Sequence, residues 1–235
     1  MDVPALLLVA HSDDEVLGCS VIMSRLRRLT IMYATEARVS HDGIAGKRLE
    51  EALAALKVLG LAPIVLPCGL PDGSLVKHTR VLASLIADRL PDTALLITHA
   101  FEGGHPDHDA CALAAQMARD AEEERSGCRV AHLEFAIYAH TDGAIRTNAF
   151  PKDAQPSAAV LALSPQEQVL KKRALGEFAS QRHVVDRFPL QHEALRRALR
   201  YDFSAARADE TVLFAMRQPG SELAWRQDAQ AALAR

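Results

Sequence analysis

The sequence predicts a Rossmann-like three-layer α/β fold with a mainly parallel sheet, in a single domain. Short apolar runs alternate with longer amphipathic segments, as strands and helices do in parallel sheets. The chain of 235 residues is 49% hydrophobic and 24% charged, a composition that suits one globular core. Acidic and histidine-containing segments follow several of the apolar runs, and the carboxyl ends of parallel strands are where such sheets bind ligands.

The first half of the chain alternates strand and helix. The predicted helix over 15–28 ends in basic residues, which are favoured at helix C-termini. The helix over 47–59 carries an apolar stripe on one face and stops before Gly60. We therefore expect strands over 5–10, 30–35, 62–66 and 93–98, and helices over 15–28, 47–59, 76–90 and 109–124.

The second half is less regular. Residues 129–140 alternate in polarity and predict a strand, and residues 141–157 contain Gly, Asn and Pro and predict a surface loop that could cover the site. The domain core is expected over about 5–217, followed by a C-terminal tail over 221–235 that forms a frayed helix. The remaining expectations are strands over 158–163 and 211–216 and helices over 165–181 and 191–200.

Charge and composition exclude several classes of partner. The net charge of −3 gives no electrostatic reason to bind nucleic acid or an anionic membrane. No apolar run reaches the roughly 18 residues of a membrane span, and the apolar N-terminal run reads as a strand rather than a signal peptide. Four scattered cysteines suit reduced thiols. We expect a cytoplasmic protein without nucleic-acid or membrane partners, and a homo-oligomer is compatible with this composition.

The first apolar run ends in a cluster of acids beside a histidine. Asp13, Asp14 and Glu15 are adjacent, and such a cluster requires positive charge nearby. A helix N-terminus supplies roughly half an elementary charge, and a divalent cation bound with His11 supplies more. His11 and Asp14 are three residues apart, so one helical turn would bring them to the same side. Asp13 would then point elsewhere and be available to handle a proton.

A second apolar run ends in a similar loop. Gly103 and Gly104 open it, and His105 and His108 follow, again three residues apart. Two strand ends with complementary ligands can provide the three protein ligands of a catalytic zinc site and leave a fourth position open. The alternative is an acidic loop capped by a helix, with histidines that serve only packing and with Asp13 as a helix N-cap.

Both loops resemble the motifs of a known family. Residues Ala10-His11-Ser12-Asp13-Asp14-Glu15 are similar to the motif AHPDDE, and residues 105–108 reproduce the motif HPDH. The chain thus resembles the PIG-L/LmbE-like zinc-dependent N-deacetylases, with Ser12 in place of the usual proline. The resemblance implies that a Zn²⁺ ion, or another divalent metal such as Fe²⁺, is bound by His11, Asp14 and His108, with Asp13 as general base and His105 stabilising the transition state.

Further residues are assigned supporting roles. Asp107 could hydrogen-bond one of the histidines and fix its tautomer, an outer-shell role. Arg48 matches an RxxE element of the family and Asp72 a DG element, which implies contacts with substrate. A solvated arginine and an aspartate selected only for turn chemistry are equally open alternatives.

Four other polar residues near the predicted site receive no role. The stretch preceding Ser40 and His41 departs from the family pattern TDGxxSH, and His99 and Glu102 lie near the second motif without an evident mechanism. These departures leave the substrate less well defined than the chemistry.

The expected activity is hydrolytic removal of an acetyl group from an amide nitrogen. The family resemblance implies a small-molecule amino-sugar partner, with an N-acetylglucosamine conjugate the best candidate. Two alternatives stay open: an amidase acting on a larger acyl group or a non-sugar amide, and a metal-bearing binding protein without turnover. The presence of both Asp13 and His105 favours turnover. No GxGxxG follows the first strand, which argues against a nucleotide-binding oxidoreductase.

Overall fold

The computed structural model describes most of the chain as nine strands and eight helices, with short 3₁₀ turns between them. The described residues are 1–36, 45–141, 144–150, 158–205, 212–217 and 220–234. The strands are β1 (Pro4–Val9), β2 (Arg28–Glu36), β3 (Ile64–Pro71), β4 (Leu95–His99), β5 (Ala131–Phe135), β6 (Tyr138–Thr141), β7 (Ala144–Thr147), β8 (Ala159–Ala162) and β9 (His192–Arg197). The helices are α1 (Asp14–Ser24), α2 (Ala45–Val58), α3 (Thr79–Ala87), α4 (Pro106–Ser126), α5 (Pro165–Leu175), α6 (Arg182–Val185), α7 (Leu213–Arg217) and α8 (Ser221–Leu233).

Seven strands form one sheet in the order β3-β2-β1-β4-β5-β9-β8. The first five are parallel to one another, whereas β9 pairs antiparallel with both β5 and β8. Strands β6 and β7 form a separate antiparallel hairpin. The predicted three-layer α/β fold with a mainly parallel sheet is therefore confirmed.

The sheet is buried on both faces because helices cover each of them. Alternate residues of β1 point to opposite sides, so that Leu7 joins a core with Leu17 of α1 while Leu8 joins another with Leu82 of α3. All four side chains are almost fully buried. This double burial explains why the strand reads as a continuous apolar run instead of an alternating one.

The strand order reverses between β1 and β4. The chain winds outward from β1 through β2 to β3 and then returns to the other side of β1 with β4. Ligand sites in open α/β sheets lie at such a switch point, outside the carboxyl ends of the strands. Both predicted motifs begin at this point, one after β1 and one after β4.

Two predicted elements are wrong. Residues 191–200 were expected to be helical from their composition, but residues His192–Arg197 form strand β9. Ala194 and Leu195 are buried there between β5 and β8, so tertiary burial overrides the local helix propensity. The strand expected over 211–216 is instead the helix α7.

Part of the predicted surface loop is also regular structure. Strand β7 lies within 141–157, while residues 142–143 and 151–157, like Ser40 and His41, fall outside the described part of the chain. Nothing here tests the expected role of this loop as a cover. Among the described residues, no helix combines the length and apolar character that crossing a membrane requires.

A buried ion pair holds α1 from the second half of the chain. The carboxylate of Glu193 accepts hydrogen bonds from the main-chain N–H groups of Ser20 (2.9 Å) and Val21 (3.0 Å). Lys171 Nζ lies 2.7 Å from Glu193 Oε1 and donates to the carbonyl of Leu17 at 2.8 Å. Neither charged side chain is exposed to solvent. Side chains from α5 and β9 thus engage the backbone of the helix that carries the first motif.

Candidate active site

The first motif lies at the turn between β1 and α1. Asp13 occupies the N-cap position of the helix, but its side chain makes no cap hydrogen bond. Asp13 therefore lies at the N-cap position without making the side-chain hydrogen bond by which an N-cap residue stabilises a helix. Glu15 Oε2 accepts the main-chain N–H of Asp13 at 3.0 Å, and Asp14 Oδ2 accepts that of His11 at 2.9 Å. The neighbouring acids thus hold the turn while the Asp13 carboxyl faces the cavity.

The second motif lies at the N-terminus of α4. His105 is the N-cap residue, and its Nδ1 accepts the main-chain N–H of Asp107 at 3.2 Å. Because Nδ1 accepts, a neutral His105 ring carries its proton on Nε2. Gly104 precedes it, and a Cβ atom there would overlap the main-chain oxygen of Tyr138. Only glycine permits this close approach between the motif loop and the β6 hairpin.

The two motifs meet in one cavity of about 140 Å³. Asp14 lies at its centre: its Oδ2 is 3.3 Å from His11 Nδ1 and its Oδ1 is 3.3 Å from His108 Nε2. The ring centroids of His11 and His105 are 4.6 Å apart. Of the eight residues predicted for the site, only Asp107 is not in the cavity wall, which is formed by His11, Asp13, Asp14, Leu17, Arg48, Asp72, His105, His108, Tyr138, Gln181 and Val184.

Several groups of side chains are close enough to share a cation. Each group has its ligand atoms within 4.8 Å of one another. The predicted ligand set of His11, Asp14 and His108 takes its members from the first two. Within the described residues the groups are His11–His105–His108, Asp14–His99–His108 and His11–Asp72–Asp107.

The donor atoms fit a small divalent cation. Ligand atoms about 2.0–2.1 Å from a tetrahedral ion lie roughly 3.3–3.4 Å apart, and each imidazole lies 3.3 Å from Asp14, His11 from its Oδ2 and His108 from its Oδ1. That distance exceeds the usual 2.9–3.0 Å of an N–H···O hydrogen bond. Two imidazoles and a carboxylate are also a donor set that suits Zn²⁺ or Fe²⁺.

The three adjacent carboxyls have different charges. Burial alone would raise the pKa of Asp14, but the imidazoles of His108 and His99 hold it well below its usual range. Burial and the Asp14 carboxylate raise the pKa of Asp13 to about 7. Burial, with a further contribution from Asp13, raises the pKa of Glu15 to about 8. Asp14 is thus the ionised member, and Asp13 is balanced between acid and base near neutral pH.

The histidines also differ in charge. Burial, and then repulsion from His11, lower the pKa of His105 to about 3. Burial works against protonation of His11 too, but the nearby carboxylates of Asp107 and Asp14 raise its pKa well above the ordinary value. His105 is therefore a neutral imidazole, whose Nε2–H can donate to an oxyanion without a full positive charge.

Asp107 connects the second motif to the loop after β3. Its carboxylate accepts the main-chain N–H groups of Gly73 (2.6 Å) and Leu75 (3.0 Å), and its Oδ2 lies 3.4 Å from His11 Nε2. The outer-shell role of Asp107 stays a prediction. The same contacts fix the loop that holds Asp72, whose Oδ2 is 3.8 Å from Arg48 Nη1.

No role is predicted for His99, which lies against the predicted ligands. Its ring stacks on that of His108 with 4.0 Å between centroids, and its Nε2 accepts the main-chain N–H of Ala10 at 3.0 Å. Its position as a polar residue at the end of β4 was the available signal. Glu102 was also left without a role; its Oε1 accepts the N–H groups of Ile137 and Tyr138 and so anchors the strand that carries Tyr138.

The fold and the site together define a doubly wound α/β protein with a candidate metal centre at its switch point. The family model described as "PIG-L: GlcNAc-PI de-N-acetylase" matches residues 6–119, which include both motifs. Over this segment the chain is similar to the PIG-L family. A comparison with curated protein sequences finds no significant match.

Solved structures share the fold at low sequence identity. The zinc-inhibited form of teicoplanin deacetylase Orf2 is 16% identical, with a TM-score of 0.57 over 83% of this chain and 98% of that one. N,N'-diacetylchitobiose deacetylase from Pyrococcus horikoshii is 14% identical, with a TM-score of 0.56 over 83% and 84%. GalB, the 4-carboxy-2-hydroxymuconate hydratase from Pseudomonas putida KT2440, is 17% identical, with a TM-score of 0.53 over 79% and 82%. Because the same fold holds a hydratase, the activity has to be argued from the site.

Proposed function

We propose that this protein is a metal-dependent hydrolase that removes an acetyl group from the amide nitrogen of an amino-sugar conjugate, with an N-acetylglucosamine derivative as the substrate. The match to the PIG-L family model and the deacetylases among the structural neighbours support the reaction class. The observation that carries the proposal is the pairing of Asp13 and His105 in the wall of one cavity that also holds the candidate ligands. A binding protein without turnover would have no need of that pair.

We assign the cation, most simply Zn²⁺, to His11, Asp14 and His108. When bound, it would polarise the amide carbonyl and lower the pKa of an attacking water. Asp14 is the ionised carboxylate of the motif and so offers the cation its negative charge. His99 stacks against His108 and lies 3.3 Å from Asp14 Oδ2, so that it limits the movement of both.

Asp13 acts as the general base and then as the general acid. Its carboxyl takes the proton of the attacking water and passes it to the leaving amine nitrogen as the C–N bond breaks. A pKa of about 7 suits both transfers, because the group is ready to gain or lose a proton at neutral pH. Glu15, which accepts the Asp13 N–H, keeps the base in place without reacting.

His105 stabilises the negative charge that develops on the carbonyl oxygen. The main-chain N–H of Asp107 occupies Nδ1, so the proton on Nε2 is the one directed to the substrate. A preorganised donor of this kind is worth about 2.7–4 kcal/mol of barrier in comparable sites.

Arg48 and Asp72 lie at the substrate side of the cavity. Both are partly exposed, with 22% and 26% of their side chains accessible. Their charges provide a donor and an acceptor for sugar hydroxyls, and Leu17, Tyr138 and Val184, which line the same cavity, provide apolar contact. This division suits a substrate with a polar sugar and a small acyl group.

The proposal is tested by measuring metal content and acetate release on the purified chain. We expect about one tightly held zinc per chain and acetate release from N-acetylglucosamine glycosides. Matched N-octanoyl glycosides and a simple non-sugar acetamide separate the main proposal from the two amidase alternatives. A metal-loaded protein that hydrolyses none of these substrates would contradict the proposed function.

A further inference from the structure

The two ring nitrogens of His11 face different carboxylates. Nδ1 lies 3.3 Å from Asp14 Oδ2, on the side of the cation assigned above. Nε2 points the other way and lies 3.3 Å from Asp72 Oδ1 and 3.4 Å from Asp107 Oδ2. His11 therefore lies between Asp14, a ligand of the cation assigned above, and two carboxylates that the proposed function does not use as metal ligands.

Nε2 is buried and lacks a hydrogen-bond partner of good geometry among the described residues. Its two carboxylate neighbours are farther away than the 2.9–3.0 Å expected for a hydrogen bond. Their distances of 3.3 and 3.4 Å match the roughly 3.3–3.4 Å that separates ligands around a tetrahedral divalent ion. A cation between the three atoms would satisfy Nε2 and both carboxylates together.

We propose that His11 Nε2, Asp72 and Asp107 form a second divalent-cation site, next to the first and separated from it by the His11 ring. The second ion takes the place of the Nε2 proton, which is released to solvent, so His11 would coordinate as an imidazolate. One imidazole and two carboxylates suit zinc and, more weakly, manganese. With only one nitrogen donor and a half-exposed carboxylate, the second site is weaker than the first.

The two carboxylates contribute differently to the site. Asp107 is almost fully buried and fixed by the N–H groups of Gly73 and Leu75, so it provides a rigid side. Asp72 is partly exposed and lines the cavity, so a cation would reach the site from the side of Asp72. Its other oxygen lies 3.8 Å from Arg48, so the guanidinium and the second cation attract the same carboxylate. Removal of the Arg48 charge should therefore strengthen the second site.

Occupation of this site would regulate the enzyme, a consequence that rests on the proposed function. The ion would hold Asp72 away from the sugar hydroxyls that we assign to it, and it would place positive charge at the substrate side of the cavity. Excess zinc is thus expected to inhibit the deacetylation that the first zinc supports.

Binding can be tested without any substrate. Chelator-treated protein titrated with Zn²⁺ in a calorimeter, with bound metal counted by mass spectrometry, should show a tight and a weaker event. Asp72→Asn should weaken only the second event, about 10- to 100-fold, as lost partners at metal sites do. Arg48→Met should tighten the second event by about threefold or more. The exposed acid Asp92 lies at the opposite edge of the sheet, so Asp92→Asn should leave both events unchanged.

A single binding event in the parent protein would overturn the proposal and mean that Asp72 and Asp107 only orient the His11 ring. An Asp72→Asn variant that keeps the second event would overturn it as well. Activity provides a separate test. The zinc concentration that gives half-maximal inhibition should equal the dissociation constant of the weaker binding event. Two binding events in a protein that releases acetate from no substrate would refute the proposed function and leave the second site standing.

Discussion

Asp13, Asp14 and Glu15 are neighbours in the chain, yet each carboxyl has its own electrostatic surroundings. Asp14 is close to the imidazoles of His108 and His99, whereas at Asp13 and Glu15 burial and the neighbouring carboxyls outweigh the groups that favour ionisation. Environments that separate pKa values in this way divide roles among similar groups. One residue is suited to hold a cation, the next to move a proton, and the third to support the turn.

Asp13→Asn should keep the metal and lose roughly 10²- to 10⁴-fold in kcat, because the base is removed while the ligands remain. The parent kcat/KM should rise with pH, since a base works only when deprotonated. Its inflection should fall at or below about 7, because a bound cation favours the ionised form. Below the inflection, activity should fall about tenfold per pH unit.

Initial rates from pH 4 to 9, with metal content measured alongside, check this prediction. Asp92→Asn, a change of the same kind at an exposed position, serves as the control and should behave like the parent. If Asp13→Asn kept the acidic limb of the profile at an unchanged rate, another group would have to be the base.

Prediction from sequence was most effective at this scale. His11, Asp14, His105 and His108 lie in two short motifs, so ligand type and spacing were sufficient to bring them together. His99 was missed because its contacts with His108 and Asp14 depend on how β4 packs beside α1 and α4. Contacts of that kind pass through space between elements and leave no local pattern.

At the scale of elements, α1 depends on the buried pair of Lys171 and Glu193. Lys171→Met should destabilise the fold by about 3–5 kcal/mol, because it leaves the Glu193 charge buried without its partner. Adding Glu193→Gln should recover part of that loss, since the amide is neutral and its oxygen can still accept an N–H of α1. Urea unfolding of the single and double variants measures both effects.

The neighbouring Lys172 is exposed, so Lys172→Met provides a matched control that should change stability little. Equal stabilities for Lys171→Met and Lys172→Met would mean that the buried pair does not hold the helix.

The wrong prediction of a helix over residues 191–200 also belongs to the scale of elements. His-Glu-Ala-Leu-Arg-Arg has good helix propensity, but Glu193 is needed at α1, and β9 is the strand that delivers it.

The whole molecule should be stabilised by its cation. A ligand present at 100 times its Kd adds about 2.7 kcal/mol, which for a domain of this length corresponds to roughly 5–10 °C in Tm. Scanning calorimetry with and without a chelator measures the shift, and added zinc should reverse it. Asp14→Asn, which removes a proposed ligand, should abolish most of the response. A Tm independent of zinc would contradict a metal centre at this position.

The overall architecture followed from the alternation of apolar and amphipathic segments, because burial on both faces leaves uninterrupted apolar runs such as 5–10. The antiparallel edge formed by β8 and β9 did not follow. Those strands are short, and β8 is largely exposed, so its residues show no buried pattern from which a strand could be predicted. The sequence therefore predicted the central parallel strands and the switch point better than the antiparallel strands β8 and β9 at the edge of the sheet.

The contacts that hold α1 limit how far the chain can be shortened from its C-terminal end. The segment matched by the family model ends at residue 119, whereas Asn148, Lys171 and Glu193, which bond to the backbone of α1, all lie beyond it. A fragment ending there would keep every motif residue but lose the groups that fix the helix beneath Asp13. A fragment that keeps α1 fixed therefore has to extend at least through β9, and cutting the chain after the second motif would remove the residues that support the site.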